Sequence, residues 1–154
     1  MNNPYFRDEY YPLEQYSKDD LEKGYNERPD ESTSFFIEKK DGTKIGNITY
    51  SIGKSLGSNL LEIGFTLIPS ERKKGYCTEV VKLFVVFLFL SKDIVRIQAR
   101  TDTRNIASQR VLEKTGFKKE GVLRKIIFMR GEWRDLSLFN ILREEWKEPK
   151  ILKF

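Results

Sequence analysis

The sequence predicts one α/β domain built on a mixed β-sheet with helices against its faces. Three observations carry that expectation. Residues 34–68 read as three strands in succession with turn residues between them. Residues 60–101 read as a strand, a helix and a second strand, and two more strands flank Arg130-Gly131-Glu132. Hairpins pair strands antiparallel, whereas a strand–helix–strand crossover pairs them parallel, so one sheet must hold both kinds of pair. At 154 residues, the chain suits a single domain over 1–154, able to bury roughly two-thirds of its unfolded surface.

The elements follow in order. Residues 1–33 form an atypical opening segment, polar, tyrosine-rich and interrupted by Pro4, Pro12 and Pro29. Within it Ser17 caps a short helix over 18–25, with Asp20 completing a weak capping box. A strand over 34–39 turns at Asp41-Gly42, a strong hairpin signal, into a strand over 45–52. Gly57-Ser58-Asn59 marks the next turn, and a strand over 60–68 stops at Pro69. A helix over 75–90 follows a basic turn. Its stretch 83–90 is apolar all round and is expected to be covered on most sides. A strand over 94–101 begins with alternating Ile94, Arg96 and Gln98. In a helix over 105–115, Ile106, Ala107, Arg110, Val111 and Lys114 keep helical spacing, and Gly116 fits the left-handed position just past its end. Strands over 117–129 and 133–143 close the order.

Charged residues make up 33% of the chain, hydrophobic residues 39% and aromatics 13%, which supplies a core and argues against disorder. A net charge of +5 favours anionic partners without separating nucleic acid from a phosphorylated ligand. There is no histidine, and Cys77 is the one cysteine. These counts exclude Ser–His–Asp and Cys–His catalysis and an internal disulfide, and they leave zinc without its usual ligands, so no metal is expected. Any proton-transfer group must be Asp, Glu, Lys, Tyr, Ser, Cys or water. The first residues lack the apolar run of a secretory signal, and 80–90, which contains Lys82, is about half the length of a bilayer span. A soluble, cytoplasmic protein without membrane contact is the expectation.

Between the third strand and the long helix lies Arg72-Lys73-Lys74-Gly75-Tyr76-Cys77-Thr78-Glu79. A polyphosphate needs closely spaced backbone N–H groups, a residue without a side chain where it approaches, and a helix N-terminus behind it. Gly75 lets the backbone come near, Cys77 and Thr78 are small, and Arg72, Lys73 and Lys74 add positive charge. The same pattern also describes an ordinary solvated helix start, with Glu79 answering the helix dipole. Gly53-Lys54-Ser55 imitates the end of a Walker loop, but Ile48 stands where the first glycine belongs and no helix follows. No G-x-G-x-x-G occurs either.

In context, Leu60-Leu61-Glu62-Ile63-Gly64-Phe65-Thr66-Leu67-Ile68-Pro69 followed by that turn resembles the acetyl-CoA motif of the GNAT superfamily of N-acetyltransferases, Gln/Arg-x-x-Gly-x-Gly/Ala after a strand. Asn105-Ile106-Ala107-Ser108-Gln109-Arg110-Val111-Leu112-Glu113-Lys114-Thr115-Gly116-Phe117 is similar to the RimJ/RimL-type subfamily, which acetylates N-termini of ribosomal proteins. Lys119-Glu120-Gly121-Val122-Leu123-Arg124 and Trp133-Arg134-Asp135 continue that likeness, which covers about 34–146.

The resemblance implies a twisted mixed sheet, flanked by helices and splayed between the fourth and fifth family strands, with acetyl-CoA as cosubstrate. It assigns the backbone of Phe65 and Leu67 to the pantetheine. It assigns Arg72, Lys73, Lys74, Gly75, Tyr76, Cys77 and Thr78 to the pyrophosphate, Asn105 to the pantetheine arm, and Ser108 to the thioester sulfur. Two features depart from the family pattern. Cys77 stands at the second Gly/Ala position, and the family's first strand and helix are expected to be absent or irregular, which leaves part of the acceptor site unassigned.

The implied reaction is acetyl transfer to a primary amine by direct attack in a ternary complex. A protein N-terminal amine ranks ahead of a polyamine or another small amine as acceptor. Many superfamily members carry an acidic tyrosine four residues after the Ser108 position. Here that residue is Leu112, which makes Ser108 the candidate acid, although serine there is also a common polar residue of helix starts. Glu62, on the strand leading to the gap, is the candidate base, directly or through water, against the alternative of a solvent-facing strand carboxylate. Backbone N–H near Leu67 would polarise the thioester carbonyl. Asp135 either recognises a cationic acceptor or supports the nearby loop. Cys77, lacking any histidine partner, reads as a small packing residue rather than a nucleophile. Tyr5, Tyr10, Tyr11 and Tyr16 either line the acceptor site or pack. The tail over 147–154 either docks at an interface, which leaves a homodimer open, or frays. From a different class stands a basic nucleic-acid-binding module with a degenerate CoA site; the charge permits it, and the lack of a recognised nucleic-acid motif disfavours it.

Overall fold

A computed structural model describes residues 32–55 and 58–148. The short helix expected at 18–25, the four tyrosines of the opening segment and the last residues of the tail lie outside them, and so does the stretch on which the expectation about the family's first strand and helix falls. One sheet contains β1 (Ser32–Glu38), β2 (Lys44–Ser55), β3 (Ser58–Leu67), β4 (Arg96–Asp102), β5 (Lys118–Met129) and β6 (Glu132–Leu142), in the order β1-β2-β3-β4-β6-β5. Two α-helices are described, α1 (Tyr76–Ser91) and α2 (Ile106–Lys114), and a 3-10 turn, Pro69–Glu71, follows β3. Every strand pair is antiparallel except β3 with β4, the pair that the strand–helix–strand order required to be parallel.

The turns form where the sequence signals them. At the β1–β2 hairpin Gly42 takes φ 88° and its N–H donates to the Lys39 carbonyl at 2.9 Å. At the β5–β6 hairpin Arg130 and Gly131 have φ 51° and 79°, the pair of positive values that matches a two-residue turn to the twist of its strands. Ser58 and Asn59 correct the expectation of a turn. They pair with Ser55 and Lys54, so the β2–β3 ladder runs on over both residues.

Alternation in β3 and β4 sends Leu61, Ile63, Leu67, Ile97 and Ala99 into one core cluster with Phe139 and Ile141 of β6. Both helices pack on that face. α1 buries Val81, Phe84, Val85, Leu88 and Phe89, and α2 buries Leu112. Each such side chain contributes about 1.5–3 kcal/mol when fully removed from water. The all-apolar stretch of α1 is covered less than its composition suggested: Leu83, Phe87 and Leu90 remain exposed. A helix lying on a sheet buries one stripe, and these residues fall on the other side of it.

The feature that positions the site is where the parallel ladder stops. Its registered pairs are Leu61↔Ile97 and Glu62↔Gln98. Beyond them β3 stays paired to β2 as far as Gly46↔Leu67, and β4 stays paired to β6 as far as Asp102↔Leu136. The two strands therefore part while each holds its outer neighbour. This is the splay that the family resemblance implied.

Candidate active site

Backbone direction alternates along a strand, so residues facing β2 and residues facing the splay take turns. Ile68 donates its N–H to Ile45 of β2 at 2.9 Å, and the Gly64 carbonyl accepts from Thr49 Oγ1 of β2 at 3.5 Å. The main-chain groups of Phe65 and Leu67 consequently face the side of β4. The Leu67 carbonyl accepts two hydrogen bonds there, from Arg72 Nε and Nη2, both at 3.1 Å. Arg72 thus folds back on the strand it follows and fixes the chain as it leaves the splay toward α1.

That exit is a tight anion-type turn. Lys73 and Gly75 have φ 62° and 84°, and Gly75 is the N-cap of α1, with no side chain bonded to the helix start. The first N–H groups of α1 therefore lack the side-chain acceptor that usually satisfies one of them. A Cβ built on Gly75 would meet no atom within 4 Å, so the hollow over the turn is open rather than filled by protein. An open cradle of backbone N–H groups at a positive helix end fits a pyrophosphate. Glu71 gathers charge beside it, accepting from Lys39 at 2.8 Å and Lys74 at 3.1 Å, and those hydrogen bonds hold its carboxyl below the usual range. Cys77 is half-buried against the core, and burial pushes its thiol up to about 11. It stays protonated near neutrality, which removes it as a nucleophile.

The second helix start lies at the end of β4. Asn105 is the N-cap of α2, and its Oδ1 accepts from the Ser108 N–H at 3.1 Å. The amide contact assigned to the pantetheine arm thus shares its residue with a capping bond. The Ser108 hydroxyl makes no hydrogen bond to a described residue. A buried polar network anchors this corner. Asp102 accepts from Arg104 N at 2.9 Å, Arg104 Nε at 3.1 Å and Arg134 Nη1 at 3.3 Å. Burial opposes its ionisation, but the hydrogen bonds from Arg104 and Arg134 outweigh burial and hold the carboxyl below its ordinary range. Sequence reading did not find this network, although Asp102, Arg104 and Arg134 surround residues it had singled out.

Glu62 points to the face away from both helices. Its Oε1 accepts from Arg100 Nε at 3.0 Å and Nη2 at 2.7 Å, and its Oε2 accepts from Gln98 Nε2 at 2.7 Å. Gln98 and Arg100 were also missed; their signal was the period-2 alternation Arg96, Gln98, Arg100 along β4. Asp135 lies on β6 and its Oδ1 accepts from the Lys125 N–H at 2.8 Å. Lys125 has φ 51° at a register break in β5 between Leu123 and Ile127. Asp135 therefore supports the bulge, one of its two expected roles. An open hollow of about 610 Å³ borders it, lined also by Val122, Arg124 and Ile126. Phe65, Leu67, the turn, Asn105 and Ser108 all lie at the C-terminal ends of the parting strands, while Glu62 marks the closed end of the splay.

A mixed sheet split between two parallel strands, with an open helix N-terminus at its mouth, defines a class of enzyme that threads a phosphorylated acyl carrier through a sheet. The chain belongs to the acetyltransferase (GNAT) domain family, whose model matches residues 1–118. It is accordingly an acetyl-CoA-dependent N-acetyltransferase. It is similar to the uncharacterized N-acetyltransferase YnaD of Bacillus subtilis (strain 168), 30% identical over 139 residues, which are 89% of this chain and 81% of the relative. Two solved structures share the fold. Ribosomal-protein-S5-alanine acetyltransferase from Vibrio fischeri has a TM-score of 0.74 at 23% identity, over 90% of this chain and 81% of that one. Spermidine N-acetyltransferase from Vibrio cholerae, in complex with CoA and spermine, has a TM-score of 0.78 at 21% identity, over 89% of this chain and 82% of that one. Among the described residues no helix is long and apolar enough to cross a membrane.

Proposed function

We propose that this enzyme acetylates a protein N-terminal amine in a ternary complex. The observation that carries the reading is the splay of β3 from β4, which opens at the uncapped start of α1 and beside Ser108. Acetyl-CoA, when bound, supplies an activated acyl carbon and a thiol leaving group. The N–H groups of Tyr76, Cys77 and Thr78, with Lys73 and Lys74, hold its pyrophosphate, and the backbone of Phe65 and Leu67 aligns the pantetheine. Glu62 takes the proton of the attacking amine, directly or through water, since a protonated amine has no lone pair to offer. The Ser108 hydroxyl donates a hydrogen bond to the sulfur as negative charge develops there. The residue four places on is Leu112, buried at 1% exposure in the core, and it has no proton to give.

The RimJ/RimL-type likeness of residues 105–117 supports this acceptor, as do ribosomal-protein-alanine acetyltransferases among the similar proteins. A spermidine acetyltransferase shares the fold as well, so a polyamine is the second reading. A screen of CoA release with peptides of differing N-terminal residue, spermidine and spermine separates them. Turnover with peptides and none with polyamines is expected; the reverse overturns the acceptor assignment. Ser108→Ala should lower kcat about 100- to 1000-fold, the range of a lost charge-stabilising donor, with the KM for acetyl-CoA little changed. Unchanged kcat removes Ser108 from the mechanism.

A further inference from the structure

We propose that Arg100, with Gln98, is a positioning residue that aims the Glu62 carboxylate at the acceptor amine. The inference deepens the reading of Glu62 as the base and rests on it. Glu62 and Gln98 form the last registered pair before the strands part, and Arg100 lies two residues further along β4, where no ladder holds it to β3. Its guanidinium reaches back across the widening gap and grips Oε1 through two nitrogens, at 3.0 and 2.7 Å. Both bonds converge on one oxygen, so Arg100 pins Oε1 with a charge-assisted contact, and the direction of the carboxylate is set once Oε2 is held as well.

The other oxygen is fixed by a chain of contacts that leaves Gln98 one orientation. Glu120 of β5 accepts from Arg96 Nη1 at 2.8 Å and Nη2 at 2.6 Å, and Arg96 Nη2 donates to Gln98 Oε1 at 3.4 Å. Arginine has no acceptor, so the amide oxygen must face Arg96 and the amide nitrogen must face Glu62. Gln98 Nε2 then donates to Oε2 at 2.7 Å. A carboxylate offers about four acceptor sites. Two on Oε1 and one on Oε2 are taken, and the site left open is on Oε2. That lone pair receives the proton of the amine or of an intervening water.

An exposed ion pair alone contributes little to stability, and Arg100 has a side-chain exposure of 43%. Holding a freely rotating carboxylate in one pose is a different service, and it appears in turnover. Arg100→Gln should lower kcat about 10-fold while leaving the KM for acetyl-CoA and the thermal shift by CoA unchanged, and Arg100→Lys should recover part of the rate. In the Glu62→Gln background, Arg100→Gln should cost nothing further, because the group it aims is gone. Three outcomes separate the ideas. If Glu62→Gln keeps full kcat, the base assignment fails and the proposal falls with it. If Glu62→Gln is slow but Arg100→Gln turns over like the parent, the base stands and Arg100 does not position it. If Arg100→Gln slows both backgrounds equally, the pair is only a staple across the sheet and the proposal is overturned.

Discussion

Replacing Gly75 with valine should abolish acetyl-CoA binding while leaving a folded protein. Gly75 has φ 84°, a conformation that costs a residue with a Cβ roughly 1–2 kcal/mol and a β-branched residue at the upper end of that range. A domain of this size tolerates such a loss. Inside the protein the new side chain meets no obstacle, since the space above Gly75 is open to at least 4 Å. On the proposed reading the pyrophosphate approaches the first N–H groups of α1 through that space, so the valine should exclude the ligand and not its neighbours. The expected result is a Kd for CoA raised at least 100-fold, with the far-ultraviolet circular dichroism of the parent. Gly75→Ala, with a smaller side chain, should fall between. Parent-like affinity in the valine variant would place the pyrophosphate elsewhere.

The turn before α1 was legible in the sequence because its determinants are local. A glycine, small residues after it and three cations before it are neighbours in the chain, and the turn they build needs no distant partner. The same holds for the hairpins at Asp41-Gly42 and Arg130-Gly131 and for Gly116, whose φ is 95°. The mixed sheet was legible from element order, because a crossover helix dictates a parallel pair. Contacts made across the sheet were not legible. Glu62 meets Arg100 from 38 positions away, and Asp102 meets Arg134 from 32; nothing in either segment alone announces the other. Period-2 alternation narrows such partners to one face of a strand, and register, which only the folded sheet supplies, selects among them. The exposed side of α1 escaped for a related reason: an apolar run states that a helix is buried, not against how many surfaces.

Arg72 shows how the two kinds of information combine. By sequence it is one of three cations at an anion turn. In the fold its guanidinium lies on the Leu67 carbonyl and ties the exit of β3 to the start of the cradle. Its charge still contributes to the field at the helix start, and its hydrogen bonds hold the turn in shape. On the proposed reading the direct phosphate contacts then fall to backbone N–H groups and to the exposed Lys73 and Lys74. A backbone cradle is rigid in a way that lysine side chains are not, which suits a site that must hold a long cofactor in register with two strands.

Asp102→Asn should destabilise the enzyme more than any other single substitution considered, by about 3 kcal/mol, the lower end for breaking a buried charge pair. Asp102 is 4% exposed and Arg134 is 9% exposed, so removing the carboxylate strands a buried guanidinium. Glu132 offsets part of that loss, since its Oε1 accepts from Arg134 Nη2 at 2.9 Å. Arg104 is half exposed and loses little, because water replaces its partner. For a domain near this length, 3 kcal/mol lowers Tm by roughly 6–12 °C. The sign with pH follows from the depressed carboxyl. Its stabilisation is fully present above the unfolded value of about 3.9 and is lost as pH falls through the lower folded value. The Tm gap between parent and variant should therefore be constant from neutral pH down to about 5 and close progressively below about 4. The corner also sets the site. The Asp102 carbonyl accepts from the Asn105 N–H at 2.9 Å, Gln109 Nε2 donates to the Thr103 carbonyl at 2.9 Å, and Asn105 caps the turn that carries Ser108. Loosening Asp102 should therefore lower kcat more than it weakens CoA binding at the distant α1 cradle. Thermal melts across pH, with kcat and Kd measured well below the variant's Tm, check both. A Tm gap that does not shrink at all as pH falls below about 4 would show that the carboxylate charge is not what holds this corner together.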